Sequence, residues 1–152
     1  MKERKKPLNE MRLILPSHST NESCARAAAA LFLAQLDPTL TELADVKCAV
    51  SEAVTNAIVH GYRDMLGPIH ITMRIYDNRE FRIEIKDKGA GIPNVEEAMQ
   101  PMYTTDRESE RSGMGFTIME SFMDSLRVTS APGKGTKVVM SKRLAALPRA
   151  AK

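Results

Sequence analysis

A predicted helix around residues 51–60 carries polar side chains that its own packing does not need. Glu52, Asn56 and His60 follow one another at intervals of four residues, so they lie on one face of an α-helix, about 5–6 Å apart. A carboxylate can take up a proton, and a carboxamide one turn later can offer its oxygen to a hard cation. The same pattern is typical of a solvated helix face, and taken alone it does not define a site.

A second group of candidate residues lies in a glycine-rich loop. Asp87 ends an apolar strand pattern and is followed by Gly89 and Gly91. A carboxylate in this place can accept a hydrogen bond from an exocyclic amine, and the glycines allow the backbone to approach a flat ring. The alternative is a turn with no role in binding, because Gly-rich turns are common.

Two further glycine motifs complete the candidate set. Gly113 and Gly115 precede a predicted helix, where free N–H groups and the helix dipole favour a phosphate. The alternative is a flexible hinge. Gly133 and Gly135 precede Thr136, whose hydroxyl is then available to contact a base. For this motif the alternative is a hairpin turn followed by a strand threonine.

Several classes of site are excluded by what the sequence lacks. It contains no G-x-x-x-x-G-K-[ST] motif and neither H-R-D nor D-F-G, which excludes a P-loop enzyme and an ordinary protein kinase. The histidines and cysteines do not have the spacing of zinc ligands. We expect Cys24 and Cys48, in two predicted helices, to be small buried hydrophobic residues without a disulfide.

The composition predicts a single domain. The chain has 152 residues, of which 43% are hydrophobic and 27% charged, as is ordinary for a globular protein. The net charge of +3 does not call for nucleic acid, and no apolar run approaches the roughly 20 residues of a membrane span. We therefore expect no nucleic-acid or membrane partner and, without a signal-peptide pattern, a cytoplasmic location. We expect the domain to cover residues 11–143, between a basic flexible segment (1–10) and a flexible tail (144–152).

The residue patterns predict an α+β fold, a two-layer sandwich with helices on one face of a mostly antiparallel sheet. Alternating apolar residues indicate strands, and longer amphipathic stretches indicate helices. Thr41 is the expected N-cap of the second helix, and Gly61 the residue that ends it. The predicted strands are 11–15, 69–75, 81–85, 126–130 and 136–141, and the predicted helices are 22–36, 42–59, 95–99 and 116–125.

The four candidate motifs, in their order along the chain, resemble the N, G1, G2 and G3 boxes of the histidine-kinase/Hsp90/MutL (GHKL) ATPase superfamily. Residues 21–23, 34–38, 51–62 and 110–120 closely resemble one family within it, the anti-sigma F factors. The resemblance covers about residues 11–144 and implies a Bergerat-type ATP-binding fold and a homodimer. It also implies two activities: binding of the sporulation sigma factor F, and phosphorylation of a serine on the anti-anti-sigma factor with ATP and Mg²⁺.

The resemblance implies roles for individual residues. Glu52 matches the general base that takes the proton of the incoming serine hydroxyl. Asn56 matches the Mg²⁺ ligand. The residues that match the adenosine site are Asp87, which reads adenine, Gly89 and Gly91, which pack against adenosine, and Thr136, which assists adenine recognition.

The resemblance also places a lid and a partner surface. Thr104 and Thr105 begin a segment that resembles the ATP lid, and Gly113 and Gly115 close it over the phosphates. Such a lid orders on ATP and loosens on ADP, which predicts that the nucleotide state controls partner choice. The positions that face protein partners in the family are Arg26 and Arg111, and a surface ion pair is the alternative for both.

Three other functions are compatible with the sequence. One is an ATP-gated sigma-binding module without useful kinase activity, although a pure clamp does not need a base at Glu52. Another is a detached ATP domain of a histidine kinase, which requires a phosphoacceptor-histidine hairpin nearby. The third is the equivalent anti-sigma kinase of a general stress-response pathway.

Overall fold

Five antiparallel strands form one sheet in the computed structural model, which describes residues 5–100 and 115–147. The order across the sheet is β1-β2-β3-β5-β4. The strands are β1 (Asn9–Pro16), β2 (Pro68–Ile75), β3 (Glu80–Asp87), β4 (Ser125–Ala131) and β5 (Gly135–Arg143). The helices are α1 (Asn21–Leu33), α2 (Leu40–Asn56), α3 (Val95–Ala98) and α4 (Gly115–Phe122). This architecture confirms the predicted α+β class.

The central hairpin follows the predicted alternation of apolar and polar residues. In β2 and β3 every second residue is buried, and the register places Ile71 opposite Ile85 and Met73 opposite Ile83. Because side chains alternate between the two faces of a strand, one face of this hairpin is apolar and faces the helices. The other face is polar.

The helical layer packs on that apolar face. Helix α1 buries Ala25, Ala29, Phe32 and Leu33, a spacing that places all four on one side of a helix. The ring of Phe32 meets that of Phe81 in β3, with 6.4 Å between the centroids. The long helix α2 lies beside α1 and contributes a second apolar stripe to the same core.

The start of α2 differs from the prediction. Thr39, not Thr41, is the N-cap: its hydroxyl accepts a hydrogen bond from the Glu42 N–H at 3.0 Å, and the Glu42 carboxylate accepts one from the Thr39 N–H at 2.9 Å. This capping box satisfies two of the helix N–H groups that have no partner within the helix. Thr41 is exposed within the first turn.

Helix α4 is shorter than predicted. It ends at Phe122, and β4 already begins at Ser125. The N–H of Asp124 donates to the carbonyl of Ser141 in β5 at 2.9 Å, so the chain has joined the sheet where a continued helix was predicted.

Residues just outside the predicted domain bounds, at both ends, bond to or pack against the rest of the fold. The N–H of Leu8 donates to the carbonyl of Ile75 at 2.8 Å, and β1 begins at Asn9. At the other end Leu144 is buried in the core, and the N–H of Ala145 donates to Glu42 at 2.8 Å. The packed part of the chain therefore extends beyond residues 11–143 at both ends.

The cysteines also differ from the prediction. Cys24 is exposed and Cys48 is half-buried, and both are free. Cys24 precedes the buried stripe of α1 that begins at Ala25, which turns its side chain away from the core. Within residues 5–100 and 115–147, no helix is long and apolar enough to span a membrane.

Candidate functional site

The predicted motifs meet in one cleft of about 300 Å³. Its walls come from the end of α2, the start of α4, the loop after β3 and the start of β5. The sequence-predicted residues that line it are Asn56, Asp87, Gly91, Gly115 and Thr136. Residues from four separate parts of the sequence thus surround one space, although their motifs taken singly were ambiguous.

The acidic face of α2 points to the start of α4. Glu52 and Asn56 are both half-buried. A Cβ placed on Gly115 would lie 3.2 Å from Asn56 Nδ2 and 3.3 Å from Glu52 Oε2. A proton acceptor and an amide oxygen therefore lie within a few ångströms of the first residue of a helix, where backbone N–H groups favour anions.

A wide turn follows α2 and brings Gly61 to Asp87. The N–H of Tyr62 donates to the carbonyl of Ala57 at 3.0 Å, across five residues instead of four. A Cβ on Gly61 would lie 2.9 Å from Asp87 Cγ, and the Gly61 carbonyl accepts a bond from the Ala90 N–H at 2.9 Å. Gly61 ends the helical segment as predicted, but its position against the site was not foreseen. Single π turns inside helices are frequent at functional sites.

Tyr62 holds the loop after β3 in place through its hydroxyl group. Its hydroxyl accepts a hydrogen bond from the Lys88 N–H at 2.6 Å and donates one to the carbonyl of Pro68 at 2.7 Å. The ring is buried and packs against Gly67, where a Cβ would come within 2.2 Å of it. Sequence reasoning missed Tyr62. The signal available was an aromatic residue directly after a helix-ending glycine.

Asp87 is almost fully buried, with 4% of its surface exposed. Burial raises the pKa of its carboxyl group, and hydrogen bonds from the backbone of Gly89 and Thr136 act in the opposite direction. The bond from the Gly89 N–H to Asp87 Oδ1 measures 2.9 Å. A buried acceptor of this kind favours a ligand that brings a hydrogen-bond donor, such as an exocyclic amine.

The two glycines of this loop have different positions. Gly91 lines the cleft with a φ of 76°, and a Cβ there would come within 2.0 Å of the Ala131 carbonyl oxygen. Both its conformation and its surroundings therefore require glycine. Gly89 lies behind Asp87, where a Cβ would come within 2.0 Å of the Gly61 carbonyl oxygen. It supports the carboxylate through its N–H group.

Ser130 is a second residue that sequence reasoning missed. Its hydroxyl oxygen lies 2.7 Å from the N–H nitrogen of Ile92, 2.8 Å from the hydroxyl of Thr136 and 2.9 Å from the carbonyl of Gly135. Ser130 and Thr136 are directly opposite each other on β4 and β5. Cross-strand Ser–Thr contacts are predictable once a hairpin register is known, and the Pro132–Gly135 turn was the available signal.

Several predicted residues are outside the cleft or outside the described residues. Arg26 forms an ion pair with Glu22, 3.8 Å between Nη1 and Oε1, and its side chain is 42% exposed. The same Glu22 accepts a hydrogen bond from Ser51, which joins α1 to α2. The predicted lid and partner residues outside the described part of the chain are Thr104, Thr105, Arg111 and Gly113.

Comparison with known proteins gives the class of this domain. A model of the histidine kinase-like ATPase domain matches residues 15–142. The anti-sigma F factor of Clostridium acetobutylicum is 56% identical over 137 residues, 90% of this chain and 95% of the relative. That of Caldanaerobacter subterraneus subsp. tengcongensis is 57% identical over 134 residues, 88% of this chain and 93% of the relative. The chain therefore belongs to the anti-sigma F factor family of histidine kinase-like ATPases.

A solved structure supports the fold independently. The RsbU and RsbW domains of Rv1364c from Mycobacterium tuberculosis align with a TM-score of 0.69, covering 96% of this chain and 35% of that chain. The sequence identity in this alignment is only 20%. The agreement thus concerns the arrangement of helices and strands.

Proposed function

We propose that this protein is an anti-sigma factor that binds sigma factor F and uses ATP to phosphorylate a serine of its anti-anti-sigma factor. The observation that carries the kinase part is the approach of Glu52 and Asn56 to Gly115, at the start of α4. A site that only bound nucleotide would need no proton acceptor at this end of the cleft. The anti-sigma part is supported by relatives of that name that match most of this chain.

The residues divide the reaction between the two ends of the cleft. At the inner end, Asp87 accepts a hydrogen bond from the adenine amine, and Thr136 contributes a hydroxyl. At the outer end, the backbone of Gly115 faces the phosphates. Glu52 orients the serine hydroxyl and takes its proton while the serine oxygen bonds to the γ-phosphorus. The bond from that phosphorus to the β-bridging oxygen breaks, and ADP leaves.

The residues present fit a Mg²⁺ that arrives with its nucleotide. Within the described part of the chain, no group of three or more His, Cys, Asp or Glu side chains could hold a metal ion. Asn56 offers a single neutral oxygen, and Mg²⁺ is commonly held by one or two protein oxygens together with water and phosphate oxygens. When bound, the ion would neutralise phosphate charge. Asn56 and Gly115 are the residues on this side that would hold the metal–nucleotide unit.

The partner contacts form the second part of the proposal. Arg26 and Arg111 face the protein partners, and the protein acts as a homodimer. The nucleotide state controls the affinity for the sigma factor, and residues 101–112, which lie outside the described part of the chain, are the segment that resembles the ATP lid. Equal affinity for the sigma factor at saturating ATP and saturating ADP would contradict this coupling.

A phosphoryl-transfer assay tests the proposed function. The full chain is incubated with γ-labelled ATP, Mg²⁺ and a candidate anti-anti-sigma protein, and the labelled residue is mapped. Label on one serine, lost in Glu52→Gln and kept in Glu120→Gln, is the expected result. Glu120 is an exposed carboxylate on α4 and serves as the control. Tight ATP binding without transfer to any supplied partner would instead indicate an ATP-gated sigma-binding module.

A further inference from the structure

Ser130 connects the two walls of the cleft around Asp87. It lies next to the end of β4, and its hydroxyl contacts Ile92 in the loop after β3 and Gly135 and Thr136 at the start of β5. Ile92 and Thr136 both line the cleft. The hydroxyl is therefore shared by the two segments that surround Asp87, and it is half-buried.

The hydrogen bonds of Ser130 determine whether the Thr136 hydroxyl can donate a hydrogen bond to a ligand or only accept one. A serine hydroxyl has one proton and two lone pairs. The Ile92 N–H, 2.7 Å away, uses one lone pair. Ser130 donates that proton to the Gly135 carbonyl, which can only accept, so Thr136 donates to Ser130 and its own oxygen offers only lone pairs to a ligand.

We infer that Ser130 positions Thr136 and the Ile92 backbone for the base and contributes to the choice of adenine over guanine. The inference rests on the proposed ATP site. Adenine presents an amine with two N–H donors, so it can donate to Asp87 and to the free lone pairs of Thr136. Guanine presents a carbonyl and a ring N–H in the corresponding places, which leaves its carbonyl facing the Asp87 carboxylate.

Removal of the hydroxyl should therefore affect adenine more than guanine. In Ser130→Ala the Thr136 hydroxyl loses the partner that fixes its direction, and the Ile92 N–H loses its acceptor. The guanine nucleotide gains little from this arrangement and loses little without it. Ser130 bonds to Ile92, Gly135 and Thr136, whereas Glu52 approaches Gly115 on α4, so the phosphoryl-transfer step itself should not change.

Calorimetric titration of the full chain with ATP and with GTP tests the inference. We expect Ser130→Ala to weaken ATP binding about tenfold and GTP binding less than about twofold. In the transfer assay KM for ATP should rise while kcat stays constant. The matched control is Ser125→Ala, which removes a hydroxyl from the same strand where it pairs with Ser141, away from the cleft. It should leave both nucleotides unaffected.

A pair of variants with side chains of equal shape separates the effect of the hydroxyl group from the effect of packing. Ser130→Thr keeps the hydroxyl and Ser130→Val removes it, so the threonine variant should retain the preference for ATP and the valine variant should lose it, even if the alanine variant does not fold. Equal weakening of ATP and GTP, or no change in either, would overturn the inference. Binding of neither nucleotide by the unmodified chain would refute the proposed ATP site itself, a separate result.

Discussion

Gly61 lies directly against Asp87, and no larger residue fits between them. A Cβ on Gly61 would be 2.9 Å from both Cγ and Oδ1 of that carboxylate. The contact exists because the turn after α2 is one residue wider than an α-helical turn. The hydrogen bond from the Tyr62 N–H to the Ala57 carbonyl shows this width. The end of the helix that carries Glu52 and Asn56 is thereby joined to the residue proposed to read the base.

Gly61→Ala should accordingly damage binding and stability together. The added methyl group has to displace the buried Asp87 carboxylate, and overpacking of this kind costs about 1–3 kcal/mol. We expect ATP affinity to fall at least about tenfold, measured by calorimetry, and the midpoint of thermal unfolding to fall as well. Thr55→Ala, an exposed change on the same helix, is the control. Unchanged ATP affinity in the Gly61→Ala variant would show that the contact is not important for the site.

The strands and the grouping of the site residues could be predicted from the sequence because both depend on short-range patterns. The period-two alternation of residues 69–75 and 81–85 directly determined which face is buried. The Asp87 and Gly115 motifs gained meaning only together, through their resemblance to one superfamily. The N-cap of α2 could also have been predicted correctly. Thr39 and Glu42 have the spacing of a capping box, and Thr41 lacks a Glu or Gln three residues later.

The features that were missed depend on contacts between distant residues. The wide turn at residues 57–61 has no signature in the local sequence. Its importance is the contact of Gly61 with Asp87, which is distant in sequence. The role of Ser130 requires the register of β4 and β5 and the position of the loop after β3. Leu144 is buried because Arg79 and Glu42, far away in sequence, bind the backbone at 144–145.

The capping box gives a prediction about stability alone. Thr39→Ala removes the acceptor for the Glu42 N–H and should destabilise the protein by about 1 kcal/mol, a fall of about 2–4 °C in melting temperature. Thr41→Ala changes an exposed threonine and should be nearly neutral. ATP affinity should be unchanged in both variants. The opposite ranking of the two melting temperatures would mean that Thr41 is the cap after all.

Asp87→Asn should separate stability from binding. Burial raises the pKa of Asp87, so ionisation of its carboxyl group opposes folding as the pH rises above the ordinary Asp pKa, and the penalty is complete above the folded-state pKa. Relative to the wild type, the Asp87→Asn variant should therefore have a higher melting temperature at neutral pH, and this gain should shrink as the pH falls from the raised folded pKa toward the ordinary Asp value. ATP affinity should decrease, because an amide can present its NH₂ where the carboxylate accepted a bond.

A melting series from acidic to neutral pH, with calorimetry at neutral pH, measures both effects. Glu84→Gln is a suitable control, since that carboxylate lies on the polar face of the sheet and pairs with Lys137. ATP binding by Asp87→Asn at the wild-type affinity would place the adenine site elsewhere.

Replacement of Glu52 should stop catalysis and spare nucleotide binding. Glu52→Gln keeps the size of the side chain but cannot accept the serine proton, so kcat should fall about a hundredfold or more. ATP affinity should remain within about twofold of the wild-type value, since Asp87 and Thr136, not Glu52, are the residues proposed to bind adenine. Single-turnover transfer and calorimetry on the same preparation give the two values. Loss of ATP binding in this variant would mean that Glu52 has a structural role.

Asn56→Ala should change the dependence of transfer on Mg²⁺. The amide oxygen is the proposed metal contact from α2, and it lies beside the Glu52 carboxylate at the start of α4. Its loss leaves the metal held by phosphate and water alone, so the Mg²⁺ concentration for half-maximal activity should rise about tenfold. Asn78→Ala is the control, because the Asn78 side chain accepts a bond from the Glu80 N–H in the turn between β2 and β3 and is not part of the cleft lining. If Asn56→Ala lowers activity equally at every Mg²⁺ concentration, the residue positions Glu52 or the nucleotide, and the metal is bound by other groups.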